Sequence, residues 1–278
     1  KKNKNSGPSL FDKRSENEYD TIQDICKSLE CEYGIPGGPD KFGKALTLYL
    51  NNHNCPKIRT LSLFSGAGGL DIGFHDLGFD IIESVEIEQK FCNTLFLNSG
   101  EGKKFSTSKP NCIDIRDYVG DNLGQIDFII GGPPCQTFSA AGRRQGGVLG
   151  TTDARGVLFR EYVRLLEKLQ PKGFLFENVY GIVGAQNGEP WREIKKSFSD
   201  VGYNLYYRII DAADFGVPQH RERLIIVGLK EGEFKFPRPI NGCDSANNNP
   251  FYSAGCAISG LALTEEEKKV GISGRFGK

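Results

Sequence analysis

One cysteine, Cys135, follows two prolines directly after a short apolar run, and this placement suits a nucleophile. Residues 126–130 (Ile-Asp-Phe-Ile-Ile) are typical of a buried strand, and two glycines then turn the chain. Pro133 and Pro134 each fix φ and lack a backbone donor, so the loop is stiff. Nucleophilic attack requires such a fixed approach, whereas a small buried cysteine that fills space is the commoner alternative. The loop by itself leaves both interpretations open.

A glycine-rich loop at residues 64–70, Phe-Ser-Gly-Ala-Gly-Gly-Leu, is the first candidate cofactor site. Glycines allow a tight turn and a close approach of the backbone to a ligand. The pattern is G-x-G-G rather than G-x-G-x-x-G, and no basic residue follows to bind phosphate. A nucleoside ligand without phosphate therefore fits better than a dinucleotide.

Acidic residues end the next two apolar runs. Glu86 follows residues 81–85, where its carboxylate could accept both hydroxyls of a ribose. Asp114 follows residues 111–113, where it could accept from an exocyclic adenine amine, with Ile115 beside the ring. Either acid alone could be a solvated carboxylate, but suitable groups on three successive strands favour a cofactor site.

Two further segments supply partners for Cys135. Glu177 follows three apolar residues, and a glutamate is costly to bury there unless it is paired or protonated, which makes it a candidate proton donor. Residues 219–223, Gln-His-Arg-Glu-Arg, bring two guanidinium groups to the start of another apolar run. The alternative for this segment is a surface charge cluster.

The elements that must position these groups alternate between strand and helix. Strand-like runs lie at 60–64, 80–85, 111–115, 126–130, 173–177, 205–210 and 223–229, with helical periodicity near 69–77, 89–98, 156–169 and 191–201. Such alternation predicts an α/β fold with a Rossmann-like, doubly wound, mostly parallel sheet. Ligands bind such sheets at the carboxyl ends of the strands, where all of these motifs fall.

Composition describes an ordinary soluble protein and narrows the function classes. The chain has 278 residues, 38% of them hydrophobic, 25% charged, and a formal net charge of zero. It contains no apolar run long enough to cross a bilayer and no secretory signal at its amino terminus, so we expect a cytoplasmic protein. Its eight cysteines form no CxxC pair and it has three histidines, which predicts reduced thiols and no metal.

These motifs occur in an order that closely resembles the DNA cytosine-5 methyltransferases of the bacterial restriction-modification type. The resemblance extends from about residue 59 to residue 228 and rests on residues 64–70, on Gly-Pro-Pro-Cys at 132–135, on Glu-Asn-Val at 177–179 and on residues 219–223. It implies the S-adenosylmethionine-dependent methyltransferase fold, with S-adenosyl-L-methionine as cofactor, S-adenosyl-L-homocysteine as product and no metal.

The resemblance also implies which residues bind the cofactor. Phe64 would stack on the adenine, Glu86 would hold the ribose, and Asp114 with Ile115 would contact the adenine. Pro134 and Leu158 would flank the methionine part. The remaining implied cofactor-binding residues are Gly66, Ala67, Gly68, Gly69 and Ile87.

The implied reaction needs a nucleophile because carbon 5 of cytosine is too electron-poor to accept a methyl group. The Cys135 thiolate would add to carbon 6 of a cytosine flipped out of double-stranded DNA. Glu177 would hydrogen-bond ring N3 and the 4-amino group, and Arg223 would bind the 2-keto oxygen. Arg221 would belong to the same catalytic set, and Asn178 would orient the Cys135 loop.

The predicted organisation is a helical extension at 1–57, a catalytic domain at 58–236, and a linker at 237–278 toward a target-recognition domain that would follow residue 278. The resemblance implies a monomer that acts on double-stranded DNA. Two alternatives use the same motifs: an RNA (tRNA) cytosine-5 methyltransferase, and a catalytically silent regulatory homologue. A nicotinamide-dependent dehydrogenase is disfavoured by the glycine loop.

Overall fold

Seven strands form one sheet in the computed structural model, which describes residues 57–134, 158–245 and 248–258. The order across the sheet is β3-β2-β1-β4-β5-β7-β6. Strand β7 runs antiparallel to β5 and β6, and the other pairings are parallel. The strands are β1 (Ile58–Leu63), β2 (Phe79–Glu86), β3 (Lys109–Cys112), β4 (Phe128–Gly131), β5 (Gly173–Val179), β6 (Asn204–Asp211) and β7 (Glu222–Leu229).

Five helices lie among the described residues, and the first three form the crossover connections between neighbouring parallel strands. They are α1 (Gly69–Asp76), α2 (Gln89–Leu97), α3 (Leu158–Leu169), α4 (Glu189–Asp200) and the short α5 (Ala254–Ile258). Turns of 3₁₀ helix lie at Tyr180–Ile182, Ala185–Gly188 and Ala212–Phe215. Among the described residues, no helix is long and apolar enough to cross a membrane.

The core lies between the sheet and α3 and α4, where four aromatic rings meet edge to face. Tyr162 of α3 contacts Phe174, Phe176 and Phe198 with ring centroids 5.4–6.0 Å apart. The Tyr162 hydroxyl is buried, and it donates to the carbonyl oxygens of Ile129 (3.1 Å) and Leu175 (2.9 Å). The core helix is thus bonded to both β4 and β5, the two strands that carry the Cys135 loop and Glu177.

The mostly parallel, Rossmann-like sheet predicted from the sequence is confirmed. Every predicted strand and helix between residues 58 and 229 has a counterpart within a few residues. The helical extension predicted over residues 1–57 lies outside the described residues except for residue 57.

Cys92 and Cys112 are paired as a disulfide, which differs from the expectation of reduced thiols for these two residues. Their Cα atoms are 5.8 Å apart, within the range of disulfides. The closeness has a simple origin, because Cys112 stands in register with Glu86 at the end of β2, and α2 begins only three residues after Glu86. Cys243 is free and exposed, and Cys256 is also exposed.

A buried carboxylate joins the first two strands to α1. Asp71 is fully buried in the first turn of the helix and accepts hydrogen bonds from the hydroxyls of Ser62 (2.5 Å) and Ser84 (2.9 Å). Burial raises the pKa of Asp71, and this outweighs the opposite effect of the two serines. Because Ser62 lies in β1 and Ser84 in β2, Asp71 holds the helix that begins at the glycine loop against both strands.

We predict that Asp71→Ala lowers the free energy of unfolding by about 1–3 kcal/mol, because two buried hydroxyls lose their acceptor. Asp71→Asn keeps an acceptor and should cost less. Because the pKa of Asp71 is raised in the folded protein, the stability that Asp71 contributes is full below pH 3.8, its pKa in the unfolded chain. This stability declines as the pH rises through the higher pKa of the folded state. Urea denaturation between pH 4 and 7 should show this decline in the wild type and not in Asp71→Asn. Equal costs for the two variants would contradict the prediction.

Candidate active site

The glycine loop that follows β1 contains three residues in left-handed backbone conformations. Phe64 has φ 54°, Gly66 has φ 54° and Gly68 has φ 87°. Phenylalanine rarely adopts a positive φ, and such strain is typical of functional sites. A Cβ at position 68 would lie 3.1 Å from a methyl of Leu95, so glycine is favoured there by space as well as by conformation. The loop therefore turns sharply at the carboxyl edge of the sheet, directly before α1.

Glu86 is anchored to this loop by backbone hydrogen bonds. Its Oε2 accepts from the N–H of Gly66 at 2.7 Å, and its Oε1 accepts from the N–H groups of Ile87 (3.0 Å) and Glu88 (2.9 Å). The residue is buried, with 8% of its surface exposed. The carboxylate is thus held in one orientation at the edge of the glycine loop, and its remaining lone pairs can accept further hydrogen bonds.

Three further residues predicted to bind the cofactor differ in their surroundings. Ile87 is exposed (58%), whereas Ile115 is buried in the main core (5%) and contributes packing there. Asp114 accepts from the backbone N–H and from Nε of Arg116, both at 2.9 Å. The side-chain hydrogen bonds of Arg116 lower the pKa of Asp114 to about 2. Asp114 is therefore a carboxylate already paired with Arg116, and sequence reasoning did not identify Arg116.

The loop after β4 is joined to the end of β5 by Asn178. This buried side chain donates from Nδ2 to the carbonyl oxygen of Pro133 (3.2 Å), and its Oδ1 accepts from the N–H of Val179 (2.8 Å). Pro134 is exposed at the last described position of the loop, and Cys135 lies outside the described residues. Asn178 therefore connects the strand that carries Glu177 to the double-proline turn.

Glu177 forms an ion pair with Arg223. Nε of Arg223 lies 2.7 Å from Oε1 of Glu177, with 24% and 29% of the two side chains exposed. Val179 stands opposite Arg223 in the antiparallel β5–β7 pair, so Glu177 is the diagonal neighbour of Arg223 on the same face. Glu177 is thus partly exposed and paired, rather than buried alone.

Gly132 leaves room for the Glu177 carboxylate. A Cβ at position 132 would stand 2.6 Å from Oε2 of Glu177, closer than side-chain carbons approach oxygen. The predicted catalytic glutamate and the predicted nucleophile loop are therefore in direct contact through a residue without a side chain.

Arg221 is exposed, and its backbone N–H donates to Oδ1 of Asp211 at 2.7 Å. Leu158 begins α3 and packs against the core.

Sequence reasoning missed Asp211, although the signal was present. Asp211 ends the apolar run at 205–210, just as Glu86 and Glu177 end theirs.

Together, these residues place an ion pair, a rigid double-proline turn and a backbone-anchored carboxylate along one edge of the sheet. The arrangement can bind a nucleoside at the glycine loop and an aromatic ring with polar edges at the ion pair. Within the described ranges, no group of three or more histidine, cysteine, aspartate or glutamate side chains could hold a metal ion.

A family model for the C-5 cytosine-specific DNA methylase matches residues 58–268. Among curated proteins, the Type II methyltransferase M.FnuDI of Fusobacterium nucleatum is 42% identical over 188 residues, covering 66% of this chain and 52% of that protein. M.AquIA of Picosynechococcus sp., also a Type II methyltransferase, is 41% identical over 196 residues, covering 66% of this chain and 77% of that protein. The chain spans about half the length of several further Type II methyltransferases.

A solved structure agrees with the sequence matches. An Escherichia coli prophage protein described as a DNA modification methyltransferase superposes with a TM-score of 0.58 at 28% identity, covering 75% of this chain and 56% of that one. The family match includes every described residue of the candidate site, from the glycine loop to Arg223. The chain belongs to the C-5 cytosine-specific DNA methylase family.

Proposed function

We propose that this chain carries the catalytic region of a DNA cytosine-5 methyltransferase. It transfers a methyl group from S-adenosyl-L-methionine to carbon 5 of a cytosine flipped out of double-stranded DNA, through a covalent adduct with Cys135. The observation that carries the proposal is the Glu177–Arg223 ion pair beside Gly132, three residues before Cys135.

The glycine loop and the β2 end fit the adenosyl cofactor. Glu86 is oriented by three backbone N–H groups and keeps lone pairs for a ribose diol. The partly buried Phe64 in the glycine loop and the exposed Ile87, which follows Glu86 directly, offer apolar surface for an adenine ring. Gly66, Ala67, Gly68 and Gly69 are assigned to the amino-acid part and Asp114 to the adenine amine, while Ile115, which is buried, supports this side from the core. Pro134 and Leu158 flank the methionine part.

The bound cofactor supplies an electrophilic methyl group. The Cys135 thiolate would form a bond to carbon 6, and the electron pair that this places at carbon 5 would accept the methyl group, leaving S-adenosyl-L-homocysteine. Glu177 accepts from the 4-amino group and hydrogen-bonds ring N3, and Arg223 binds the 2-keto oxygen, so both stabilise the charge that attack places on the ring. A solvent base would then take the carbon 5 proton, and the electron pair of that C–H bond would re-form the 5,6 double bond. This expels the Cys135 thiolate and releases 5-methylcytosine.

Asn178 positions the nucleophile loop in this proposal, because it bonds the carbonyl of Pro133. Arg221 extends the basic edge beside Arg223. The named relatives are Type II methyltransferases, which supports a role as the modification half of a restriction-modification system in the bacterial cytosol. We also propose that the protein is a monomer. The proposed domain boundaries lie after residues 57 and 236, and the proposed target-recognition domain lies beyond the second boundary.

Methyl incorporation tests the function directly. With labelled S-adenosyl-L-methionine, we expect transfer to duplex DNA and retention of the label in 5-methylcytosine. Equal or greater incorporation into tRNA would favour the RNA alternative. Absence of transfer to either, with cofactor still bound, would favour a silent homologue.

We predict that DNA containing 5-fluorocytosine traps a denaturation-stable complex, because fluorine cannot leave as the proton does. Cys135→Ser should abolish the complex, while Cys243→Ser, which changes an exposed free cysteine, should not. The measurement is a gel shift under denaturing conditions. A complex formed by Cys135→Ser would exclude Cys135 as the nucleophile.

We predict that Glu86→Ala weakens binding of S-adenosyl-L-homocysteine by about 1.5–3 kcal/mol, since a charge-assisted bond to the ribose is lost. Glu88→Gln, which alters the exposed neighbour, is the matched control and should bind normally. Titration calorimetry measures both. Unchanged affinity of Glu86→Ala would refute the assignment.

We predict that Gly132→Ala lowers kcat about 10- to 100-fold, because the new Cβ displaces the Glu177 carboxylate. The contact involves the flexible end of a side chain, so the melting temperature should change little. Gly73→Ala, a helical glycine with open space around it, serves as the control. An active Gly132→Ala variant would show that the observed position of Glu177 is not required.

A further inference from the structure

One carboxylate holds both ends of the loop between β6 and β7. Asp211, the last residue of β6, accepts through Oδ1 from the backbone N–H of Ala213 (3.1 Å) and of Arg221 (2.7 Å). Its Oδ2 lies 2.7 Å from Nδ1 of His220. We call Asp211 and His220 the loop clamp. The chemistry proposed above uses neither residue.

The loop clamp is connected to the ion pair by the strand register. Asp211 stands opposite Glu222, and Ile210 stands opposite Arg223. The N–H that Asp211 binds at Arg221 is therefore two residues from the guanidinium that contacts Glu177. A second segment packs on the clamp, because the ring of Phe251 meets the His220 imidazole edge to face at 5.0 Å. The start of β7 is thus held from both sides.

We propose that Asp211 is a positioning residue for methyl transfer: it fixes the backbone that enters β7 and thereby sets the guanidinium of Arg223 against Glu177, with His220 supplying the charge that strengthens this hold. The inference rests on the proposed function, since it assigns a purpose to the orientation of Arg223 in that reaction.

The charges around the clamp give it a pH dependence. Three carboxylates act on His220: Asp211 from β6, Asp214 from the 3₁₀ turn and Glu222 from β7. The Phe251 segment, residues 248–252, adds no charge at neutral pH. The hydrogen bond to Asp211 raises the pKa of His220 above 6.5. Burial raises the pKa of Asp211, but hydrogen bonds from His220 and two backbone N–H groups outweigh it and bring the pKa below 3.8.

The sign of each shift sets the range in which the clamp is strongest. The stability that His220 contributes is full below pH 6.5 and is lost as the pH rises through the higher pKa of His220 in the folded protein. The stability that Asp211 contributes is full above pH 3.8 and is lost as the pH falls through the lower pKa of Asp211 in the folded protein. The charged pair therefore exists from the folded pKa of Asp211, which lies below 3.8, up to the folded pKa of His220.

Asp211→Asn separates positioning from simple structural support. The amide oxygen can still accept from the two backbone N–H groups, but its NH₂ group can bond His220 only when the imidazole is neutral. The pH dependence should therefore invert: kcat of Asp211→Asn relative to wild type should rise between pH 6 and 8.5. Asp211→Ala, which removes all three bonds, should lower kcat about 10- to 100-fold at pH 6 without changing the affinity for S-adenosyl-L-homocysteine.

Asp76→Asn is the matched control, because Asp76 faces His75 in another aspartate–histidine pair, at the end of α1. It should leave kcat and its pH profile unchanged. Histidine NMR reports the clamp directly, since the chain has three histidines. The pKa of His220 should fall in Asp211→Asn, because the hydrogen bond to the Asp211 carboxylate is the largest cause of its rise.

The outcomes distinguish the two proposals. A wild-type protein that transfers no methyl group to DNA would overturn the proposed function and this inference with it. An active wild type with Asp211→Ala folded and equally active would overturn the inference alone. The same applies if Asp211→Asn lowers kcat by one factor at all pH values, because that result indicates a merely structural role.

Discussion

The ion pair between Glu177 and Arg223 depends on one feature of the sheet, the antiparallel insertion of β7 between β5 and β6. In a fully parallel sheet the beginning of β7 would lie at the opposite edge from the end of β5. Because β7 runs the other way, its first residues arrive beside the last residues of β5. A carboxylate that ends one strand and a guanidinium that begins another can then share a face and form the polar part of the site.

The nucleophile loop depends on the same strand end. Asn178, next to Glu177, binds the carbonyl of Pro133, while Gly132 leaves space for the Glu177 carboxylate. The position of the Glu177 side chain and the path of the loop are thus mutually dependent, so a change in one shifts the other. The cofactor side follows a similar rule, since the Glu86 carboxylate at the end of β2 binds the glycine loop that leaves β1.

Acids at the ends of apolar runs were predicted to lie together because a parallel sheet brings the carboxyl ends of its strands to one edge. The rule found Glu86, Asp114 and Glu177, and applied consistently it would also have found Asp211. This rule does not predict which group each acid binds in the folded protein. Asp114 is paired with Arg116, and Ile115 beside it is buried in the core, because contacts of that kind depend on how the chain folds back locally.

The amino-acid sequence alone determined the fold class, the order of the elements and the family, because hydrophobic periodicity and motif order are properties of the linear chain. It also identified the glycine loop and the residues around Cys135 as the chemical groups of interest. Only the tertiary structure decided that Glu177 pairs with Arg223, that Asn178 holds the double-proline turn and that Cys92 lies against Cys112. These contacts join residues 20 to 46 positions apart, and they form only when strand order and register bring the residues together.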